Sequence, residues 1–159
     1  MKLELRLQSW GLAVLLVLVL RLPPEVDAVC EVGWTEFDHN CYNYVSTKAT
    51  FPEAMGLCIR EGYDLLEINS ASEASFIQKF VKANNSTSAW IGVNDLVVEG
   101  QWVSSSELTP LKYNNWGPNQ PDNYENEEDC AEFYPNLDWN DYSCRKRNDF
   151  ICEGHELEY

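Results

Sequence analysis

The chain is predicted to be an α+β domain, with both helices in its first half and an all-β second half. Three observations lead there. Two segments carry apolar residues at helical spacing behind capping signals at Thr50 and Ser70. From Ala89 onward the apolar residues fall in short runs separated by turn residues, the pattern of strands. Six cysteines, at 30, 41, 58, 130, 144 and 152, are an even number with no C-x-x-C pair, which reads as a disulfide framework. With 45% hydrophobic and 13% aromatic residues the chain is too apolar for a disordered acidic segment.

Residues 1–28 are excluded from that domain. Lys2 and Arg6 precede an unbroken apolar run from Gly11 to Leu20, and Val26-Asp27-Ala28 places small residues where signal peptidase reads them. About ten apolar residues is half of a bilayer span, so the segment is read as a cleaved secretory signal and residues 29–159 as one extracellular domain. A formal net charge of −15 excludes nucleic acid as a partner and favours cations.

Alternation in Gly33–Phe37 and Cys41–Val45 predicts two short strands. Thr50-Phe51-Pro52-Glu53 is a capping box with proline in the first turn, opening a helix to about Arg60 that ends before Gly62. Leu65, Leu66 and Ile68 suit a strand. Ser70-Ala71-Ser72-Glu73 is a second capping box, followed by Ala74, Phe76, Ile77, Phe80 and Val81 at helical spacing. Strands are then expected at Ala89–Val93, Gly100–Val103, Cys130–Tyr134, Trp139–Ser143 and Phe150–Cys152, with a frayed acidic tail from Glu153. Trp90, Trp102 and Trp139 are expected in the core. The cysteines permit 15 connectivities, and their spacing suggests Cys30/Cys41, Cys130/Cys144 and a long Cys58/Cys152 closure.

The stretch between Ser104-Ser105-Ser106 and Cys130 has little periodicity, and a loop of that length in a compact domain is usually functional. It holds Gln120-Pro121-Asp122 and Glu128-Asp129, and Asn140-Asp141 follows ten residues after Cys130. These are carboxylate and amide oxygens without Cys, His or Met, a donor set that suits Ca²⁺ rather than zinc or copper. Carboxylates crowded in one loop repel one another unless a cation is present. An acidic run is more commonly a solvated surface, but Pro118, Pro121, Trp116 and Trp139 can hold this one in a single shape.

These pieces together resemble the C-type lectins: Gly33-Trp34 before Cys41-Tyr42, Trp90-Ile91-Gly92-Val93-Asn94-Asp95, Gln120-Pro121-Asp122, Glu128-Asp129-Cys130, Trp139-Asn140-Asp141, and the closing Cys144 and Cys152. The resemblance covers essentially all of residues 29–159. It implies a C-type lectin-like fold, two helices packed on short antiparallel sheets with a long calcium-binding loop region and three disulfides, in the long form marked by Cys30/Cys41. It further implies that Gln120, Asp122, Glu128, Asn140 and Asp141 bind the principal Ca²⁺, with the Asp141 backbone carbonyl as a further ligand and Pro121 in the cis form open to proline. Two vicinal sugar hydroxyls would then meet the metal, the carboxylates and the amide N–H groups of Gln120, Asp122, Glu128 and Asn140.

The Gln120/Asp122 order reverses the acid-then-amide order that the resemblance associates with mannose, and so implies galactose or N-acetylgalactosamine. Tyr124 stands where galactose-binding members place a ring against the sugar, although Glu125-Asn126-Glu127 departs from the glycine-rich insertion of strongly selective members. Asp95, Glu99, Asn123, Glu128 and Asp129 match an auxiliary calcium site, with Asn123 in place of the usual aspartate. Asn84 and Asn85 head overlapping N-x-S/T sequons, so the chain is a candidate glycoprotein. The implied function is that of a secreted calcium-dependent lectin of the innate-immunity type, its partners glycans of glycoproteins or cell surfaces. Weak single sites would favour avidity through a homo-oligomer. The alternative is a module of the same fold, toxin-like or ice-binding, aimed at a protein or another surface. A hydrolase using Asp122 with Glu128 is disfavoured, because acids bound to Ca²⁺ have depressed pKa values and cannot serve as general acid.

Overall fold

The computed structural model describes residues 30–134, 136 and 138–155. The expected signal segment and residues 156–159 lie outside the described residues. No helix among those described is long and apolar enough to cross a membrane.

Strand β1 (Thr35–Phe37) pairs with β2 (Asn40–Ala49) through a turn in which Asp38 and His39 take positive φ. Helix α1 (Phe51–Arg60) begins where the sequence signals it, with the Thr50 backbone N–H donating to the Glu53 carboxylate at 2.9 Å. It stops at Gly62, whose φ of 88° suits glycine beyond a helix end. β3 is shorter than expected, only Asp64–Leu65. Helix α2 (Ala71–Ala83) is capped by Ser70, whose hydroxyl accepts from the Glu73 N–H at 3.2 Å. The reciprocal half of that box is not made, because the Glu73 side chain turns inward to accept from the Tyr42 hydroxyl at 2.8 Å and the Asn69 N–H at 2.7 Å.

The second half supplies β4 (Ala89–Asn94), β5 (Val103–Ser104), β6 (Cys130–Phe133), β7 (Trp139–Tyr142) and β8 (Asn148–His155). The expected short sheets join into one eight-stranded ladder of order β1-β2-β8-β4-β6-β7, with β3 on β8 and β5 on β4. All pairings are antiparallel except β4 with β8. The expectation of a frayed tail from Glu153 is corrected, since Glu153, Gly154 and His155 pair with Tyr42, Cys41 and Asn40. β4 is buried throughout, as befits a central strand. Gly92 admits no side chain there, because its backbone passes tightly against Leu65 and its N–H donates to the Leu66 carbonyl at 2.6 Å.

Trp90, Trp139, Phe51, Phe133, Phe150, Ile77 and Leu66 are fully buried in two core clusters around this sheet. Each such side chain contributes about 1.5–3 kcal/mol. Trp102 departs from the core expectation: it is half-buried and packs edge-on against Trp116. The disulfides are Cys30–Cys41, Cys58–Cys152 and Cys130–Cys144, as the spacing suggested. Cys58–Cys152 closes a separation of 94 residues and ties α1 to β8, a loop worth about 4.5 kcal/mol in the chain-entropy model.

Candidate functional site

The β6–β7 hairpin is the platform. Cys130–Cys144 staples its open end, and register places Glu132 opposite Asn140 and Ala131 opposite Asp141. The long loop is held against this platform by backbone bonds from Trp139 N–H to the Asn115 carbonyl (2.8 Å) and from Gly117 N–H to the Trp139 carbonyl (2.9 Å). The Trp116 ring packs edge-on against Trp139 with centroids 5.6 Å apart. Aromatic packing therefore anchors a loop that has almost no secondary structure of its own.

From that anchor the chain turns through a cis Gln120–Pro121 peptide into a segment where Asn119, Asn123, Glu125 and Asn126 all take positive φ. Asparagine tolerates that region and glutamate does not readily, so the loop is a place where backbone strain is held by surrounding bonds. Those bonds converge on two carboxylates. Asp141, fully buried, accepts from the Asp122 N–H at 3.1 Å and the Asn123 N–H at 2.6 Å. Glu128 accepts from the Tyr124 N–H at 3.0 Å, while its own N–H donates to the Asn123 side-chain oxygen at 3.2 Å.

The result is a cluster in which Asp122, Glu128 and Asp141 each offer one oxygen, all within 4.8 Å of one another. Burial raises the Glu128 pKa, the Tyr124 N–H opposes that, and the charges of Asp141 and Asp122 raise it further. A hard divalent cation fits this donor set, which is all oxygen. The Gln120 Oε1, two residues before Asp122, is buried with no hydrogen-bond partner among the described residues, the condition of an acceptor shaped for something other than protein. Asn140 sits on the same strand as Asp141, and its Nδ2 donates to Glu132 at 3.2 Å and to the Asp141 carbonyl at 2.6 Å.

The residues matched to an auxiliary site are brought partly together. Asp95 is 2% exposed, and its N–H donates to the Asp129 carbonyl at 3.1 Å. One of its oxygens accepts from the Gly100 N–H at 2.7 Å and the other, Oδ1, is buried without a partner among the described residues. Burial raises its pKa, with the charges of Glu99 and Asp129 adding to it. Asn123 spends its side-chain oxygen on Glu128. Tyr124 is 65% exposed beside Glu128 on a short 3-10 turn, Tyr124–Asn126. Asn84 and Asn85 are exposed where α2 ends, and the Asn84 amide donates to the Phe80 carbonyl at 2.9 Å.

Sequence reasoning missed one buried acid and one cluster of buried and half-buried acids. Glu132, 4% exposed, accepts from Asn140 and from the Asn148 Nδ2 at 2.7 Å. Burial raises its pKa and these amide bonds oppose that. Its signal was a charged residue between Ala131 and Phe133 inside a strand. Elsewhere, Glu67, Glu73 and Glu153 gather where β3, α2 and β8 meet, although nearly 90 residues of sequence separate the first from the last. The Glu67 N–H donates to Glu153 at 2.8 Å, and the Ser106 N–H donates to Glu67 at 2.8 Å. A cavity of about 250 Å³ adjoins Glu67 and Glu153, with Asp64, Lys112 and His155 also in its wall, and none of the three clustered carboxylates of the loop.

Comparison with known proteins identifies the fold and the family. The family model described as Lectin C-type domain matches residues 47–154. The chain is 34% identical to perlucin of Haliotis laevigata over 82% of its own length and 86% of perlucin. It spans only 27% to 44% of several longer mammalian relatives, among them CD209 antigen of Hylobates lar and asialoglycoprotein receptor 1 of Mus musculus. Among solved structures, the mouse scavenger receptor C-type lectin carbohydrate-recognition domain superposes with a TM-score of 0.76 at 33% identity, covering 81% of this chain and all of that one. A calcium-independent type II antifreeze protein superposes with a TM-score of 0.73 at 27% identity, covering 81% and 96%.

Proposed function

The chain belongs to the C-type lectin domain family, and from that premise we propose that it is a secreted, calcium-dependent carbohydrate-binding protein of the galactose or N-acetylgalactosamine type. The observation that carries the reading is the convergence of Asp122, Glu128 and Asp141 within 4.8 Å. Gln120, Asp122, Glu128, Asn140 and Asp141 are the residues that would hold Ca²⁺. When bound, the ion offers open coordination positions to two vicinal hydroxyls.

The chain's own groups do the rest. Carboxylate oxygens of Asp122 and Glu128 accept hydrogen bonds from the sugar hydroxyls, and the Gln120 amide donates to a sugar oxygen. Tyr124, exposed beside Glu128, presents a ring to the apolar face of the sugar. The Gln120-Pro121-Asp122 order underlies the galactose-type preference. Asp95, Glu99, Asn123, Glu128 and Asp129 form a weaker auxiliary cation site, in which the buried unpartnered Asp95 Oδ1 is an available ligand atom. The open surface around the cluster suits a ligand held by coordination and a few hydrogen bonds, hence weak binding per site and a glycan partner presented in many copies. The role is recognition rather than catalysis.

The test is retention of the protein on immobilised galactose with calcium and with chelator, free galactose and free mannose competing. Release by chelator and by galactose is expected. Equal release by mannose would remove the selectivity and keep the mechanism. The likeness to an antifreeze protein favours a second reading, binding to a non-sugar surface, and calcium binding without retention on any sugar column would select it.

A further inference from the structure

Glu132 is a carboxylate that the proposed sugar site does not use, yet it sits under that site in a position costly for a charge. It is 4% exposed on β6, between Ala131 and Phe133, both fully buried. An acid so buried is tolerated only when its oxygens are bonded. Both are: Oε1 accepts from the Asn140 Nδ2 at 3.2 Å and Oε2 from the Asn148 Nδ2 at 2.7 Å. Asn148 is fixed in turn, its Oδ1 accepting from the Ser88 hydroxyl at 3.0 Å and the Asp149 N–H at 3.0 Å. A chain of bonds thus runs from the Ser88–Asn148 end of the sheet through Glu132 to Asn140, directly across the β6–β7 ladder.

The chemistry of that chain is directional. A side-chain amide has an oxygen end and a nitrogen end of nearly equal size, and only its partners decide which way it faces. An ionised carboxylate accepts and never donates. Facing Glu132, Asn140 must present nitrogen inward, and its oxygen then points away from Glu132. The Asp141 carbonyl accepts from the same Nδ2 at 2.6 Å and enforces the same orientation.

We propose that Glu132 is a positioning residue for the cation site: it holds the Asn140 amide so that oxygen rather than nitrogen is offered as ligand. The proposal rests on the calcium reading above and adds to it the residue that sets the ligand's orientation. It also explains why an acid occupies a strand position where an apolar residue would cost the fold less. Outer partners that orient ligands in this way typically alter metal affinity 10- to 100-fold when changed.

The experiment compares calcium affinity by titration calorimetry for the full protein, for E132Q and for E132Q/N140D, with melting temperature in chelator for each. Glutamine can turn its NH₂ toward Asn140 and draw the Asn140 oxygen inward, so E132Q is expected to bind calcium about tenfold more weakly. Adding Asn140→Asp should restore affinity, because a carboxylate has oxygen at both ends and accepts from the new amide. A purely structural role for Glu132 predicts a lower melting temperature with unchanged affinity, and that result overturns the proposal, as does failure of the double variant to recover while folded. If the parent itself binds no calcium, the site reading fails and this inference with it. Should E132Q not fold, E132D decides: its shorter side chain keeps the charge and withdraws the acceptor from the Asn140 Nδ2, so weakened calcium binding by the folded variant supports the proposal and parent affinity overturns it.

Discussion

Two groups of carboxylates in this chain meet their mutual repulsion in different ways. At the loop, Asp122 and Glu128 and, from β7, Asp141 bring one oxygen each within 4.8 Å, with backbone N–H groups of Asp122, Asn123 and Tyr124 donating to Asp141 and Glu128. Beneath α2, Glu67, Glu73 and Glu153 are satisfied by a tyrosine hydroxyl and backbone amides, and burial raises the pKa of Glu67 and, more strongly, of Glu153. The described ion pairs involve none of these six residues. The first group is open to an external cation, whereas the second can relieve its charge by keeping a proton. Acidic residues alone therefore do not mark a binding site; what matters is whether their oxygens converge on one point that an ion can reach.

The largest effect should follow from breaking the loop group. Asp141 holds the backbone of Asp122 and Asn123 as well as contributing its own oxygens, so Asp141→Ala is expected to abolish calcium binding and galactose retention together. Calorimetry and the galactose column check this. In the parent, calcium at 100 times its Kd should add about 2.7 kcal/mol to stability, seen as a rise in Tm that the variant lacks. Sugar binding that survives in Asp141→Ala would separate the sugar site from the metal.

A smaller effect is expected from opening the buried group without touching the loop. Burial, then the Glu73 charge, drives the Tyr42 pKa far upward, so its hydroxyl stays a donor to Glu73 across the physiological range. Tyr42→Phe leaves one oxygen of a buried carboxylate unpaired, at a cost of about 1–3 kcal/mol. Denaturant unfolding should report that loss, while calcium affinity stays at the parent value. A shared loss of calcium affinity would mean that the two groups are coupled through the sheet.

The difference between the groups also explains what the sequence revealed. Thr50 and Ser70 announce helix starts because capping is local, and the strands of β4, β6 and β7 show as short runs between turn residues. The extension of β8 to His155 was not visible, because Glu153-Gly154-His155 is polar and is held by pairing with β2 and by Tyr63 packed over Gly154. The loop acids were legible as hard oxygen donors clustered near prolines and tryptophans. Their convergence was not, since it depends on Asp141 reaching back 18 and 19 residues to Asn123 and Asp122. Glu67 and Glu153 lie 86 positions apart, and nothing local in either segment announces the other. Glu132 was hidden for a related reason: its partners Asn140 and Asn148 belong to two other strands.

The smallest expected effect distinguishes the groups by pH. Burial, followed by the charges of Glu73, Glu67 and Asp64, holds the Glu153 carboxyl well above the ordinary 4.5, and the Glu67 N–H only partly opposes this. A folded pKa above the unfolded one means that the folded state binds more protons between the two values. The stability from this group is therefore complete below about pH 4.5 and declines as pH rises through the folded pKa, by at most about 1.4 kcal/mol per pH unit. Facing the same region are Tyr42 on β2, Asp64 on β3, Glu67 beyond it, Glu73 on α2, His155 on β8, and Glu107 and Lys112 of the loop. These groups and the loop acids titrate in parent and variant alike, so the informative quantity is the difference from Glu153→Gln, which keeps an acceptor for the Glu67 N–H and cannot ionise. In chelator, the parent's Tm should fall by a few degrees more than that of Glu153→Gln between pH 5 and pH 8. Parallel curves would show that Glu153 is ionised in the folded state, as in the unfolded one, throughout that range, and the contrast between a group waiting for a cation and a group keeping a proton would then rest on geometry alone.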